Sequence, residues 1–171
     1  MAHEPSQEEP LIPRLLASNA LRANLSKHMD LNKMADSKAS MIMTASSLII
    51  TITLTQYDKL NLLTVLLLAS SGILAVLFSI LAIIPPLHVA DHTNLFYFRS
   101  FSDLSEDEFK QQFRETITDR EKLYDAYMHE IYYLGKHRLT RKYRLIRNGL
   151  WSILIGLLCA TASALLLSLP L

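Results

Sequence analysis

Charged residues are absent from three long stretches of this 171-residue chain. The stretches lie between Lys38 and Asp58, between Lys59 and Asp91, and after Arg147. Each is mostly apolar and long enough for a helix to cross the bilayer's hydrocarbon core of about 30 Å. The sequence therefore predicts an all-α membrane protein with three transmembrane helices and excludes an ordinary soluble domain.

The apolar stretches and the polar regions beside them divide the chain into segments. A double proline, Pro85-Pro86, ends the second apolar stretch, because proline has no amide donor and clashes with the preceding turn. The first ten residues include three Glu and two Pro, a composition typical of disorder. The predicted segments are a disordered lead-in (1–13), a cytoplasmic helix (14–38), transmembrane helices (39–55, 62–84 and 149–169) and a cytoplasmic helical region (85–148).

The orientation follows from the positions of lysine and arginine. Residues 1–38 hold five Lys or Arg and residues 85–148 hold eleven, whereas the connector between the first two spans holds only Lys59. Loops rich in Lys and Arg stay in the cytoplasm. We therefore expect a multi-pass membrane protein with a cytoplasmic N-terminus and an external C-terminus.

Two helices are predicted outside the membrane. The first runs without a break into the first span. The second is a long amphipathic helix from Ser105 to Asn148, between spans two and three. It opens with a capping box formed by Ser105 and Glu108, and its apolar residues then recur at three- and four-residue steps. Its apolar face needs a partner, which is either the N-terminal helix or a neighbouring subunit.

Polar and basic residues gather where the three spans meet the cytoplasm. Basic side chains there could bind a phosphate, an aromatic ring could stack on a base, and Asp or Asn could bond the base edge. For any single residue, helix capping, snorkelling or contact with anionic lipid is the simpler interpretation. The predicted ligand-binding residues are Asp36, Lys38, Asn94, Arg138, Arg141, Lys142 and Tyr143.

A stripe of hydroxyl residues follows one face of the first span. The spacings of four, three, four and four place the stripe on one side of a helix. In an oligomer this face could line a water-filled path, but close helix packing with hydroxyls bonded to the preceding turn is favoured. Small residues in the other two spans also favour tight association and a homo-oligomer. The stripe consists of Ser40, Thr44, Ser47, Thr51 and Thr55.

The sequence gives no support for catalysis or for a bound cofactor. Cys159 is the single cysteine, and the four glycines form no phosphate-binding loop. His88 and His92 lack a local third ligand, so no metal site is predicted. There is no Gly-x-Ser-x-Gly nucleophile motif. The near-neutral charge gives no case for a nucleic-acid polymer as partner.

Several short motifs resemble the transmembrane effectors of Pycsar anti-phage systems. The first span opens with Ala-Asp-Ser-Lys-Ala-Ser at residues 35–40, similar to that family's A-D-x-K-A-S sequence. Residues 94–98 resemble its Asn-x-x-Phe-Phe stretch, and a Ser-x-Glu pattern and long helix follow. Lys142-Tyr143 precedes the last span. The resemblance covers roughly residues 20 to 171.

The resemblance implies a function. Effectors of this family respond to a cyclic pyrimidine mononucleotide, made by a partner cyclase after phage infection, and then impair the inner membrane. The resemblance therefore implies that this chain lies in the bacterial inner membrane. The activating ligand would have to bind the helical cytoplasmic part, because the chain carries no separate nucleotide-binding domain. No His-Asp metal pattern precedes the spans, so hydrolysis is not implied.

A second hypothesis belongs to a different class. The chain could be a non-enzymatic scaffold or assembly subunit that docks a partner protein through its cytoplasmic helix. A small transporter is disfavoured, since no ionisable residue lies within a span.

Overall fold

The computed structural model describes residues 11–84, 95–96 and 101–168, and within these ranges the side chains of residues 15–166. All regular elements in these ranges are helices. They are α1 (Leu11–Thr55), a 3₁₀ turn (Tyr57–Lys59), α2 (Leu62–Ile83), α3 (Glu106–Thr118), α4 (Arg120–Tyr133), a π-helical stretch (Leu134–Leu139) and α5 (Thr140–Ser168).

Three helical stretches are long and apolar enough to cross a membrane: Leu15–Thr55, Leu62–Ile83 and Arg120–Leu166. The prediction of a helical protein with three such helices is confirmed. The prediction that the N-terminal helix runs unbroken into the first span is also confirmed, since α1 continues from Leu11 to Thr55. Residues 1–10 of the predicted lead-in lie outside the described residues.

The chain forms two compact units. The first contains Met1–Asp30 and Val89–Gly135, and the second contains Leu31–His88 and Lys136–Leu171.

The second unit is built on small side chains. Its core brings together α1, α2 and α5, and α2 packs along α5. Leucine and isoleucine side chains such as Leu48, Leu66 and Leu154 are exposed instead. This arrangement suits a bundle in lipid, where small residues let backbones approach and large apolar residues face the acyl chains. The core residues are Ala35, Ala39, Ile42, Ala75, Ala82 and Ile146.

Hydroxyl groups join α2 to α5 inside this unit. Ser152 Oγ donates to the carbonyl oxygen of Ser71 at 3.0 Å, and Thr64 Oγ1 lies 3.3 Å from Ser163 Oγ. Asn61 caps α2 by accepting from the Thr64 amide at 2.8 Å. Since hydrocarbon offers no competing water, polar groups within spans must find such partners. These bonds fix how α2 and α5 align.

The first unit contains α3 and α4, which pack against each other. The predicted capping box at the start of α3 is confirmed: Ser105 Oγ accepts from the Glu108 amide, and the Glu108 carboxylate accepts from the Ser105 amide. The hydrogen bonds from the Ser105 side chain and then from its backbone hold the pKa of Glu108 below its usual range. The contribution of this carboxylate to stability is therefore present above the unfolded pKa and lost as pH falls through the lower folded pKa.

The prediction of one continuous helix from Ser105 to Asn148 is wrong. Helix α3 ends at Thr118, and Asp119 has extended backbone angles, φ −100° and ψ 117°. The Asp119 carboxylate accepts hydrogen bonds from the amides of Glu121 and Lys122, at 2.9 and 3.2 Å. Asp119 thus acts as an N-cap that starts a new helix. From Arg120 the helix continues through the π-helical stretch into the third span.

An aromatic cluster stabilises the first unit. The Phe109 ring stacks on Phe113 with centroids 5.4 Å apart, and Phe101 lies 4.7 Å from Phe109. Phe96 joins the two helices, because its ring is 6.1 Å from Phe113 on α3 and 5.2 Å from Tyr127 on α4. Such pairs add about 0.5–1.5 kcal/mol each beyond the area that they bury.

Candidate functional site

Helices α1 and α5 approach closely near the predicted inner boundary of the membrane. Ala35 and Ala39 are both fully buried, one turn apart on α1, and they share a core cluster with Ile146 of α5. Alanine side chains at a contact allow two helix backbones to come near each other. The polar residues beside these alanines are therefore held within reach of α5.

An ion pair joins the two helices at this point. Lys142 Nζ donates to Asp36 Oδ1 at 2.6 Å, a short charge-assisted hydrogen bond. The Lys142 side chain is 14% exposed and that of Asp36 is 42% exposed. The lysine charge is thus mostly removed from solvent, and Asp36 is the carboxylate that balances it.

Tyr143 forms further contacts between α5 and α1. Its hydroxyl donates to the carbonyl oxygen of Leu31 at 3.4 Å, and Lys38 Nζ lies 5.4 Å from the centre of its ring. The second contact is a cation–π interaction, worth about 0.5–1 kcal/mol at exposed sites. Asp36, Lys38, Lys142 and Tyr143 therefore form one cluster.

Beside this cluster lies a cavity of about 200 Å³. Its apolar side is formed by residues 81–84, at the end of α2, and by Leu145. Its polar side is formed by Asn32 of α1 and by residues of the basic run that precedes the third span. The lining residues of that run are His137, Arg138, Arg141 and Lys142.

The predicted ligand-binding residues thus fall into two adjacent groups. Asp36, Lys38 and Tyr143 contact one another or Lys142, whereas Arg138 and Arg141 line the cavity, and Lys142 belongs to both groups. Asn94 lies outside the described residues.

One residue of this region was not predicted. Asn32 lines the cavity, and its Oδ1 atom is enclosed with no hydrogen-bond partner in the part of the chain that the structure describes. Asn32 precedes Asp36 by four residues, so helical spacing places both on one side of α1. That spacing is the signal in the sequence that could have identified it.

The hydroxyl stripe of α1 is exposed along its whole length, from Ser40 to Thr55. Its hydroxyls donate to carbonyl oxygens of the preceding turn, for example Thr44 to Ser40 at 3.0 Å and Thr51 to Ser47 at 2.9 Å. In this pattern the hydroxyl groups of Ser and Thr form their hydrogen bonds within their own helix. The stripe is therefore compatible with a lipid-facing surface or with a contact to another chain.

Residues 20–169 match a protein-family model described as the Pycsar effector protein domain, PycTM. The chain belongs to this family. The match covers most of each unit, including every residue of the boundary cluster formed by Asp36, Lys38, Lys142 and Tyr143. No curated protein and no solved structure matches the chain in the corresponding comparisons.

Membership in the Pycsar effector family supports a role in anti-phage defence. The family is one of non-catalytic effectors, and it belongs to cyclase-linked systems. The three apolar helices together with this membership indicate a membrane protein.

Proposed function

We propose that this Pycsar effector is a ligand-gated membrane protein that responds to a cyclic pyrimidine mononucleotide and then impairs the inner membrane. The observation that carries the proposal is the family match over residues 20–169. The ligand is the diffusible product of a partner cyclase, so the cyclase is a functional partner rather than a bound subunit.

The proposed topology places the ligand site in the cytoplasm. Residues 1–38 and 85–148 carry sixteen of the seventeen Lys and Arg residues, which favours a cytoplasmic location for both segments. The boundary cluster then faces the compartment in which a cyclase releases its product. The C-terminus lies outside.

Gating requires two arrangements of the helices with different affinities for the ligand. The Lys142–Asp36 pair and the Tyr143–Leu31 bond hold α1 against α5 in the arrangement described here. An anionic ligand competes with the Asp36 carboxylate for Lys142. Binding therefore favours an arrangement in which this contact between α1 and α5 is changed.

The membrane step is proposed to use more than one copy of the chain. The hydroxyl face of α1 is exposed in a single chain. In a homo-oligomer this face either packs against a neighbouring helix or lines a path for water and ions. Both arrangements place the face at a subunit interface.

A second candidate function is supported by the surface of the first unit. Ile117, Met128 and Tyr132 are each about half exposed, at 49%, 52% and 54%. Apolar exposure on helices outside the predicted spans 39–55, 62–84 and 149–169 suits a scaffold that docks a partner protein. Such a subunit would act without any nucleotide.

The membrane potential of bacteria that express this chain distinguishes the two functions. We expect a potential-sensitive dye to report depolarisation when a pyrimidine cyclase is co-expressed. The matched control is a cyclase with an inactivated active site, which should leave the potential unchanged. An unchanged potential despite verified expression and nucleotide production would contradict the effector proposal and favour the scaffold.

A further inference from the structure

The cavity of the second unit combines three features. It has an apolar wall at the end of α2 and a cationic wall on α5, and its lining includes Asn32, whose Oδ1 atom is enclosed with no hydrogen-bond partner among the described residues. Each of these features constrains the molecule that would fill it.

The basic side chains that line the cavity favour the binding of an anionic ligand. The chain has no Asp or Glu after Glu130, so α5 itself offers no counter-charge. Asp36 balances Lys142, whereas Arg141 is exposed and forms no ion pair with any residue that the structure describes. The planar guanidinium donates through several N–H groups and matches phosphate oxygens well.

The Asn32 Oδ1 atom is a hydrogen-bond acceptor, so a suitable ligand carries a hydrogen-bond donor as well as its negative charge. An enclosed carbonyl oxygen without a partner destabilises a fold, and a ligand hydroxyl or amine would relieve the cost. The required ligand therefore carries a negative charge at one end and an O–H or N–H group within a few ångströms. The apolar wall, which includes Leu81 and Leu145, would contact a less polar part of it.

We infer that this cavity binds a phosphodiester monoanion whose hydroxyl or amine donates to Asn32 Oδ1 and whose phosphate lies against Arg141 and Arg138. Two sources share this chemistry. One is the headgroup of an anionic phospholipid such as phosphatidylglycerol, consistent with the general use of basic pockets at the cytoplasmic side of membrane helices. The other is a cyclic pyrimidine nucleotide, and this second source rests on the proposed function.

The basic run contains a matched control residue, which distinguishes a specific binding site from a general attraction of basic residues to anionic lipid. Arg144 lies on the same helix, three residues after Arg141, and is also exposed, but it does not line the cavity. General attraction to anionic lipid weakens equally when either arginine is removed. Binding at a specific site weakens when Arg141 is removed and is unchanged when Arg144 is removed.

The test uses the full chain in phosphatidylcholine nanodiscs, with and without phosphatidylglycerol. Calorimetry measures the binding of cyclic CMP and cyclic UMP, and native mass spectrometry measures retained phosphatidylglycerol. The variants are Arg141→Ala, Asn32→Asp and the control Arg144→Ala. Asn32→Leu removes the acceptor without adding a charge, and it serves as the second variant if Asn32→Asp does not fold.

We expect the affinity for at least one of the two probes to fall about tenfold or more in Arg141→Ala and in both Asn32 variants, as for a lost charge-assisted hydrogen bond. Arg144→Ala should bind like the unaltered chain. Loss of nucleotide binding alone identifies the nucleotide as the occupant, and loss of lipid retention alone identifies the headgroup.

The inference is overturned if neither probe binds the unaltered chain, or if Arg141→Ala and Arg144→Ala behave alike. Cyclase-dependent depolarisation that persists in the Arg141 and Asn32 variants would also overturn the nucleotide assignment while leaving the proposed function intact. If depolarisation is absent but lipid retention depends on Arg141, the proposed function fails and the lipid site stands.

Discussion

Replacing Gly156 with alanine is expected to destabilise the second unit, even though alanine is the better helix former. A Cβ at position 156 would overlap both Cβ and Oγ of Ser71, and the Ser71 Cβ cannot move without its backbone. Such overpacking costs up to about 3 kcal/mol, whereas the gain in helix propensity is about 1 kcal/mol. We expect a net loss of about 2 kcal/mol, measured as a lower thermal midpoint in detergent.

Two variants make this prediction specific. Gly149→Ala is the matched control, because a Cβ there meets its nearest atoms at 3.5 and 3.6 Å, an ordinary contact distance. It should leave stability unchanged or raise it. Adding Ser71→Gly to Gly156→Ala removes the overlap, while the bond from Ser152 to the Ser71 carbonyl survives. A destabilised Gly149→Ala, or a double variant no more stable than Gly156→Ala, would contradict the packing account.

Removing either partner of the Asp36–Lys142 pair is expected to weaken the fold, and removing Lys142 is also expected to weaken the response to a cyclase. Lys142 is only 14% exposed, so Asp36→Ala leaves a poorly solvated charge without its carboxylate. Hydrogen bonds to charged groups contribute about 1.5–3 kcal/mol. We expect the lower end of that range, because Asp36 is 42% exposed and solvent screens the pair.

A double-mutant cycle measures this coupling. The stability lost in Asp36→Ala combined with Lys142→Ala should be smaller than the sum of the two single losses, since the second change removes a partner that is already alone. Arg147→Ala is the control: this arginine is exposed and forms no ion pair within the described ranges. If Lys142→Ala leaves both expression and the response to the cyclase intact, the assignment of the boundary site is wrong.

The sequence was sufficient for the features that depend on long patterns. Three uncharged stretches predicted three apolar helices, and the spacing of Ser105 and Glu108 predicted a capping box. The break at Asp119 could not be read in the same way. An aspartate on the polar face of an amphipathic helix looks the same whether it faces water or caps a new helix, because the apolar spacing continues on both sides.

The boundary site was also predicted from the sequence only in part. The position of the residues relative to the spans predicted that the segments containing Asp36 and Lys142 could converge at one membrane face, and these two side chains form an ion pair. Which side of α1 faces the cavity depends on how α1, α2 and α5 pack, so the sequence did not single out Asn32. The Asn32 Oδ1 atom has no hydrogen-bond partner among the described residues because of how the helices pack, and the spacing of residues in the sequence does not predict this.

The most direct test of the ligand-gated effector uses the purified chain in liposomes that enclose a fluorescent dye. No cyclase or other protein is present, so any response belongs to this chain and the added nucleotide. We predict dye release on addition of cyclic CMP or cyclic UMP, and none with the corresponding linear nucleotide monophosphate or with liposomes lacking protein. Liposomes that hold the inserted chain and stay sealed with both cyclic nucleotides would contradict the account.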